Sequence, residues 1–459
     1  MNSKVIIIGA GISGLATAFW LKEKGVEVKV LESRSEPGGA MRTSFENNYL
    51  IDYGPNSGLE TTPLIKKLVD KIGMSDQMIY ANETSNKRYI YRNNKLHALP
   101  TSAHAFIKTK LFSLKGKLRV MKEPFVGRSD DGYYQSLGSF VERRLGKEFL
   151  DFAIDPFVSG VFAGDPMKLS VKSAFPKLYA LEENYGGLVK GMIKGAKERK
   201  KRAEESKQSA RMFSFKNGMQ SFPNAIAQMI GDDLIYNTEI KQIKRVANKF
   251  SVTFATNGIE KNLETDTVFS TVPSYKAANL FGYLDEELEQ KLNSIIYPPV
   301  MLLYLGYDKS QISQPLDGFG FLIPSKEKRN FLGAIWSSTI FENRSPEGKA
   351  SFSLFIGGAR RMELNSSENK QTIENAIRDF SEIMGITGEP EFLKYKFWQN
   401  AIPQYNVGYV EYENYFEKFE NENPGIFLGG NYRGGISVGD CVKNSEINSD
   451  KILKYLNRS

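Results

Sequence analysis

The chain has 459 residues, 41% hydrophobic and 25% charged, the balance of a globular protein with a large core in two or three domains and not of a disordered or fibrous chain. A single cysteine, Cys441, excludes an internal disulfide framework, no Cys/His cluster has metal-ligand spacing, and two histidines, His97 and His104, leave little for triad chemistry, so no metal is expected. The net charge of +8 suits anionic lipid, nucleic acid or an acidic small molecule, and the longest apolar runs are broken by glycine, so no membrane span is expected.

A strand that starts within four positions of Met1 leaves no room for a secretory signal, and a mature, cytoplasmic start is expected. "KVIIIGAGISGLATAFWLKEKGVEVKVLES" predicts strand, glycine turn, helix through Lys24 and second strand. Gly9, Gly11 and Gly14 have GxGxxG spacing, with Ile12 and Ser13 between them, and Glu32 followed by Ser33 stands about 20 residues on, where a dinucleotide site needs an acid. Gly9 makes the turn, Gly11 lets the backbone approach a pyrophosphate, and Gly14 allows close helix packing. Glu32 is expected to accept hydrogen bonds from a ribose; the plainer reading is a surface acid at a strand end.

NAD and FAD both use this fingerprint, and the next segment separates them. "SRSEPGGAMRT" adds Gly38, Gly39 and Arg42, resembling the GG motif of flavoprotein oxidases, and "IDYGPNS" adds the turn Gly54, Pro55 and Asn56. A simple dehydrogenase needs neither, so FAD is the expected cofactor.

"RYIYRNNKLHAL" predicts a hairpin turning at Asn93-Asn94, and residues 101 to 205 are helical in pattern. Residues 190 to 211 carry nine Lys/Arg against three Glu, a solvated helix or loop on the plain reading and a membrane-surface patch on the functional one. No stacking aromatics interleave with these charges, so nucleic acid is not expected. "MFSFKNGMQSFPNAIAQMI" opens a new segment, strands and a hairpin follow to residue 258, and "TDTVFSTVPS" is an apolar strand ending in a Pro turn. Ile240 sits where flavoproteins of this kind place an apolar residue against adenine. Residues 298 to 360 are strand-rich, 369 to 384 form an amphipathic helix, and 425 to 458 close with a strand, a glycine loop and a helix. In "GIFLGGNYRGGISVGD" the glycines, Gly430 among them, are expected to admit a ring system, with N–H groups around Val438 at the helix start able to reach a flavin and stabilise negative charge on it. Cys441 reads as a small packing residue, so non-covalent FAD is expected.

Residues 155 to 191, with "FSFKNGMQSFP", "GAIWSSTIFENRSPEG", "FWQNAIPQYNVGY" and "GNYRGGISVGDCV", closely resemble the protoporphyrinogen oxidase family, and residues 4 to 446 match the wider amine-oxidase-like flavoproteins. The resemblance implies an α/β fold in which a Rossmann-like FAD-binding domain (1–80, 206–282 and 424–459) is interleaved with an α+β substrate domain (81–100 and 283–423) and a helical membrane-binding insert (101–205). It implies six-electron oxidation of a porphyrinogen to a porphyrin, by hydride transfer from bridging methylenes to flavin, with oxygen as acceptor and hydrogen peroxide as product. Carried over by motif, Asn56 lies near the flavin, Arg88 faces a propionate, Gly160 supplies backbone beside the macrocycle, Leu316, Leu332 and Phe352 sandwich its pyrroles, and Trp398 sits by the cofactor. Tyr409 is a departure, since relatives often carry His there. The implied setting is cytoplasmic, peripheral to an anionic membrane, and it leaves room for a homodimer and for contact with the next haem-pathway enzyme, ferrochelatase.

Protoporphyrinogen IX is the favoured substrate and coproporphyrinogen III the alternative. An amine oxidase or carotenoid desaturase shares the FAD fold, and a flavin- or NAD-binding membrane-surface module without turnover is a reading of another class.

Overall fold

The computed structural model describes residues 2–131, 134–202, 210–364 and 369–457. Asn2–Ile8 is the centre of a seven-stranded sheet and pairs in parallel with Val28–Leu31 on one side and Ile259–Ser270 on the other. Val5 and Ile7 enter one hydrophobic core and Ile6 and Ile8 another, which is why the strand reads as a continuous apolar run. The first core is closed by the helices Ile12–Glu23 and Val438–Leu456, the second by Ser274–Phe281, Glu286–Asn293 and Tyr409–Glu422.

Ile259–Ser270 is long enough to serve two neighbours. Its first half pairs antiparallel with Lys249–Thr256, which in turn pairs with Thr238–Val246, and its second half pairs in parallel with Asn2–Ile8 and Ile426–Leu428. The turn before it uses Asn257 and Gly258, both at positive φ, as a tight hairpin demands. Segments far apart in sequence therefore share one sheet: residues 2–31, 234–270 and 426–428.

A second seven-stranded sheet runs in the order Phe392–Trp398, Val300–Asp308, Lys349–Gly357, Gly333–Ile335, Gly318–Leu322, Lys87–Arg92, Lys95–Ala98. The last two are the hairpin expected at Asn93 and Asn94, which have φ of 51° and 58°. Helix Asn369–Met384 covers one face, burying Ile373, Ala376, Phe380 and Met384 at helical spacing against Met301, Leu303, Phe352 and Leu354.

Between residues 103 and 202 the described elements are helical, from Ala103–Lys108 to Leu188–Arg202. The half of the basic tract beyond residue 202 falls largely outside the described residues. Arg144, wholly buried, joins these helices by pairing with Glu123 and Glu182. Glu123 also accepts the Leu188 and Val189 N–H groups, at 2.7 and 3.0 Å, at the start of the basic helix. Among the described residues no helix is long and apolar enough to cross a membrane.

Candidate active site

The glycine turn is built as its spacing predicts. A side chain at Gly14 would meet the Gly9 carbonyl oxygen at 2.0 Å, so only glycine lets the helix approach the strand end, whereas a side chain at Gly11 would touch no protein atom within 4 Å. Gly38 donates its N–H to the Ala10 carbonyl at 2.8 Å, and a Cβ at Gly39 would lie 3.4 Å from the Gly11 Cα. The second glycine pair thus lies directly against the first turn. Gly54 in turn packs so closely on Ala40 that a Cβ would meet that carbonyl oxygen at 1.9 Å. Pro55 and Asn56 follow this contact, and Arg42 donates to the Gly39 carbonyl and pairs with Glu36.

Glu32 is buried, not a surface acid. Its Oε2 accepts the Ala10 N–H at 2.7 Å and its Oε1 accepts the Arg34 N–H at 2.9 Å, with the Ser33 hydroxyl at 3.3 Å from Oε1. Oε2, with one donor, keeps a lone pair for a further one. The Glu32 carbonyl receives the N–H and hydroxyl of Thr238, which brings Ile240, half-buried two residues along that strand, to the same edge.

The C-terminal loop returns to this point. Gly429 donates to Ser270 at 2.8 Å, and Gly430, at φ of 110°, would carry a Cβ 3.1 Å from the Thr271 carbonyl oxygen. Ser437 caps helix Val438–Leu456 through the Asp440 N–H, and Val438 packs in the same core as Ile12. The Cys441 thiol contacts Ser13, and burial pushes that thiol up to about 11, so it is a packing group. Two helix N-termini therefore lie side by side at Ser13 and Val438, a favourable place for phosphate and for negative charge.

These features fit a flavin dinucleotide: open backbone at Gly11, a buried acid at Glu32, and paired helix starts. They are also what unites the chain with known proteins, since its sequence matches the family model of flavin containing amine oxidoreductases over residues 12–453. The chain belongs to that family. This flavin oxidoreductase is 32% identical to protoporphyrinogen oxidase 2 of Arabidopsis thaliana, covering 99% of this chain and 94% of the relative. It is 28% identical to the coproporphyrinogen III oxidase of Bacillus subtilis (strain 168), covering 98% of each. A crystal structure from Exiguobacterium sp. 255-15 shares the fold with a TM-score of 0.80 at 22% identity, covering 99% of both chains. The likeness to porphyrinogen oxidases carried by the sequence motifs is thereby borne out.

Beyond the dinucleotide turn, the structure brings some motif residues of this oxidoreductase together and parts others. Trp398 donates its indole N–H to the Tyr53 carbonyl at 2.9 Å, which ties the second sheet to the turn that holds Asn56. Arg88 and Gly160 meet along strand Gly318–Leu322: the Arg88 guanidinium lies 5.3 Å from the Phe319 ring, and a Cβ at Gly160 would overlap Leu322. Arg88 is open to solvent on one side, yet desolvation lowers its pKa, and no carboxylate among the described residues pairs with it.

The expected trio Leu316, Leu332 and Phe352 is not assembled. Phe352 is wholly buried, 5.0 Å from Phe380 in the core under helix Asn369–Met384, and Leu316 packs against that same core. Leu332 instead lies with Ala163, Val300 and Phe355. Strand alternation decides this, because Phe352 and Phe355 are an odd number of positions apart and face opposite sides of the sheet. Phe352 is therefore a core residue and not a wall of the cleft.

Other residues at the site carried no role in the sequence. Tyr405 donates to the Asn431 carbonyl at 2.8 Å and stacks on Tyr409 at 4.4 Å, whose hydroxyl donates to the Tyr432 carbonyl. Burial raises both tyrosines well above their ordinary range, so they stay neutral donors. "IPQY" marked Tyr405 as part of a motif, but its partners lie 26 to 30 residues away.

Proposed function

We propose that this chain is a porphyrinogen oxidase holding non-covalent FAD between the Gly9–Gly14 turn, Glu32 and the loop before Val438, with protoporphyrinogen IX as substrate. The observation that carries the reading is Arg88: a cation with no carboxylate partner among the described residues, beside an aromatic ring, on the sheet that Trp398 ties to the cofactor turn. A porphyrinogen presents an apolar macrocycle with propionates on its rim, and that combination asks for an aromatic wall and one fixed guanidinium. The names of the full-length relatives support the substrate class. In the domain scheme proposed, the sheet of residues 2–31, 234–270 and 426–428 belongs to the FAD domain, the sheet carrying Arg88 and Trp398 to the substrate domain, and the intervening helices to the insert.

FAD held there would supply a hydride acceptor, with oxygen as the proposed electron acceptor and hydrogen peroxide as the product. The chain's own part is position and field. Glu32 anchors a ribose, the backbone N–H groups at Ser13 and Val438 face negative charge, and Gly160 lets its helix pack closely on Leu322 beside the macrocycle. Arg88 fixes the orientation of the macrocycle by one propionate. Coproporphyrinogen III is a second reading, favoured by the Bacillus subtilis and Staphylococcus aureus relatives of that name.

The insert is proposed to rest on an anionic membrane. Leu114, Leu118 and Met121 recur at helical spacing on one face of Leu114–Met121 and are exposed, Phe125 just beyond is 89% exposed, and Ile193 on the adjoining basic helix is exposed as well. Lysines 110, 115, 117, 122, 190 and 194 stand in the same segments of the chain. Exposed apolar side chains in lysine-rich segments fit the boundary between lipid tails and anionic headgroups. The setting proposed is the cytoplasmic face of that membrane, where a homodimer or ferrochelatase would meet the enzyme.

The test is stopped-flow mixing of the purified protein with each porphyrinogen, with a polyamine as control. Bleaching of the bound flavin by protoporphyrinogen IX, followed by porphyrin fluorescence in air, is the expected result. A flavin left oxidised by both porphyrinogens would falsify the assignment.

A further inference from the structure

Beneath the Gly54–Asn56 turn lies a small cavity, with room for about one water centre, lined by Leu50, Asp52, Asn56, Tyr304, Ser337 and Arg344 among others. Arg344 is only 3% exposed, and its two terminal nitrogens have different fates. Nη2 donates to the Ser214 hydroxyl at 2.8 Å and to the Phe215 carbonyl at 3.1 Å, while Nη1 is buried without a partner among the described residues. Ser214 passes the connection on, donating its hydroxyl to the Asn56 carbonyl at 3.1 Å.

Asp52, across the cavity, is also buried. It accepts from Thr43 at 2.6 Å and from the Met219 N–H at 2.9 Å, and it makes no direct ion pair with Arg344. Burial raises the Asp52 carboxyl and the Arg344 charge opposes that rise, so the two groups sense one another across the gap. A partnerless buried guanidinium nitrogen and a buried carboxylate whose residues line one water-sized cavity make a setting in which a bridging water completes both.

We propose that Arg344 is a positioning residue for the cofactor-facing turn: it fixes the Asn56 carbonyl through Ser214 and is joined to Asp52 by a water held in the cavity. This rests on the reading that Asn56 faces the flavin. Lysine cannot replace it, because a single ammonium cannot reach Ser214, Phe215 and the cavity in the fixed fork that guanidinium provides.

The experiment compares Arg344→Lys, Ser214→Ala and Asn56→Ala in the FAD-loaded enzyme by visible spectrum, midpoint potential and the split between kcat and KM. Ser214→Ala removes one link without removing a buried charge, so it reports even where the Arg344 variant does not fold. The expected result is a shifted flavin spectrum and potential in all three, with flavin reduction slowed about tenfold in Arg344→Lys and KM unchanged. If Asn56→Ala moves the spectrum while Ser214→Ala and Arg344→Lys match the wild type, the proposal is overturned and the reading of the turn stands. If Asn56→Ala is also silent, the reading of the turn fails and takes the proposal with it.

Discussion

Tyr405 accepts the Gly435 N–H at 3.0 Å through the same hydroxyl that donates to Asn431, so a single oxygen closes the glycine loop from both ends. Gly435 has φ of 123°, a conformation that the loop needs and that few contacts on glycine itself can enforce. Tyr405→Phe should leave both backbone groups unsatisfied in a buried setting and destabilise the fold by roughly 1 to 3 kcal/mol. Denaturant unfolding measures this; a midpoint equal to wild type would show that the loop closes without the hydroxyl.

Glu32→Ala should weaken FAD binding by roughly 1.5 to 3 kcal/mol, since a charged acceptor for ribose is lost along with the clamp on Ala10 and Arg34. Glu32→Gln keeps the shape and one acceptor and should fall between. Titration of apo-protein with FAD reads both, and equal affinity in all three proteins would remove the ribose role.

Arg88→Ala should lower kcat/KM for the porphyrinogen by about 10- to 100-fold, the worth of one Arg-carboxylate pair in a partly desolvated cleft. The propionate is remote from the reacting methylene, so the loss should fall on KM, with flavin content unchanged. Steady-state kinetics decide this, and wild-type behaviour would make Arg88 a surface cation of its hairpin.

Leu118→Glu and Phe125→Glu should each reduce sedimentation with anionic vesicles, and binding of the wild type should weaken as salt rises, because surface charges are screened beyond roughly 8 Å at physiological ionic strength. Equal sedimentation with and without anionic lipid would refute the electrostatic part.

The buried Arg144 network predicts an acid limit to stability. Burial alone would raise Glu182, but the Ser129 N–H and the Arg144 and Arg143 guanidiniums outweigh it and hold the carboxyl below its ordinary value. Its contribution is therefore complete above the usual glutamate range of about 4.3 and disappears as pH falls through the lower folded value. Arg144→Met takes the buried counter-ion from Glu123 and leaves Glu182 to Arg143, and should cost roughly 3 to 5 kcal/mol at neutral pH, with a smaller cost in acid. Thermal melts across pH 3 to 7, at about unit steps, give the comparison.

The dinucleotide turn was legible in the sequence because its physics is local. Gly9, Gly11, Gly14 and Glu32 lie within one strand-turn-helix-strand unit, where spacing and glycine content dictate backbone shape. The hairpin at Asn93-Asn94, the amphipathic helix at 369 to 384 and the glycine loop near the end are local in the same sense. Tertiary structure decided what depends on which face a side chain takes and on which distant segment it meets. Phe352 left the cleft because strand alternation and a covering helix put it in the core. Tyr405, Arg344 and Ser214 gained their roles only through partners 26, 130 and 158 residues away, at Asn431, Ser214 and Asn56. No spacing rule encodes those distances: a hydrogen bond between segments depends on how two independently formed sheets dock, and that is fixed by the packing of the whole chain.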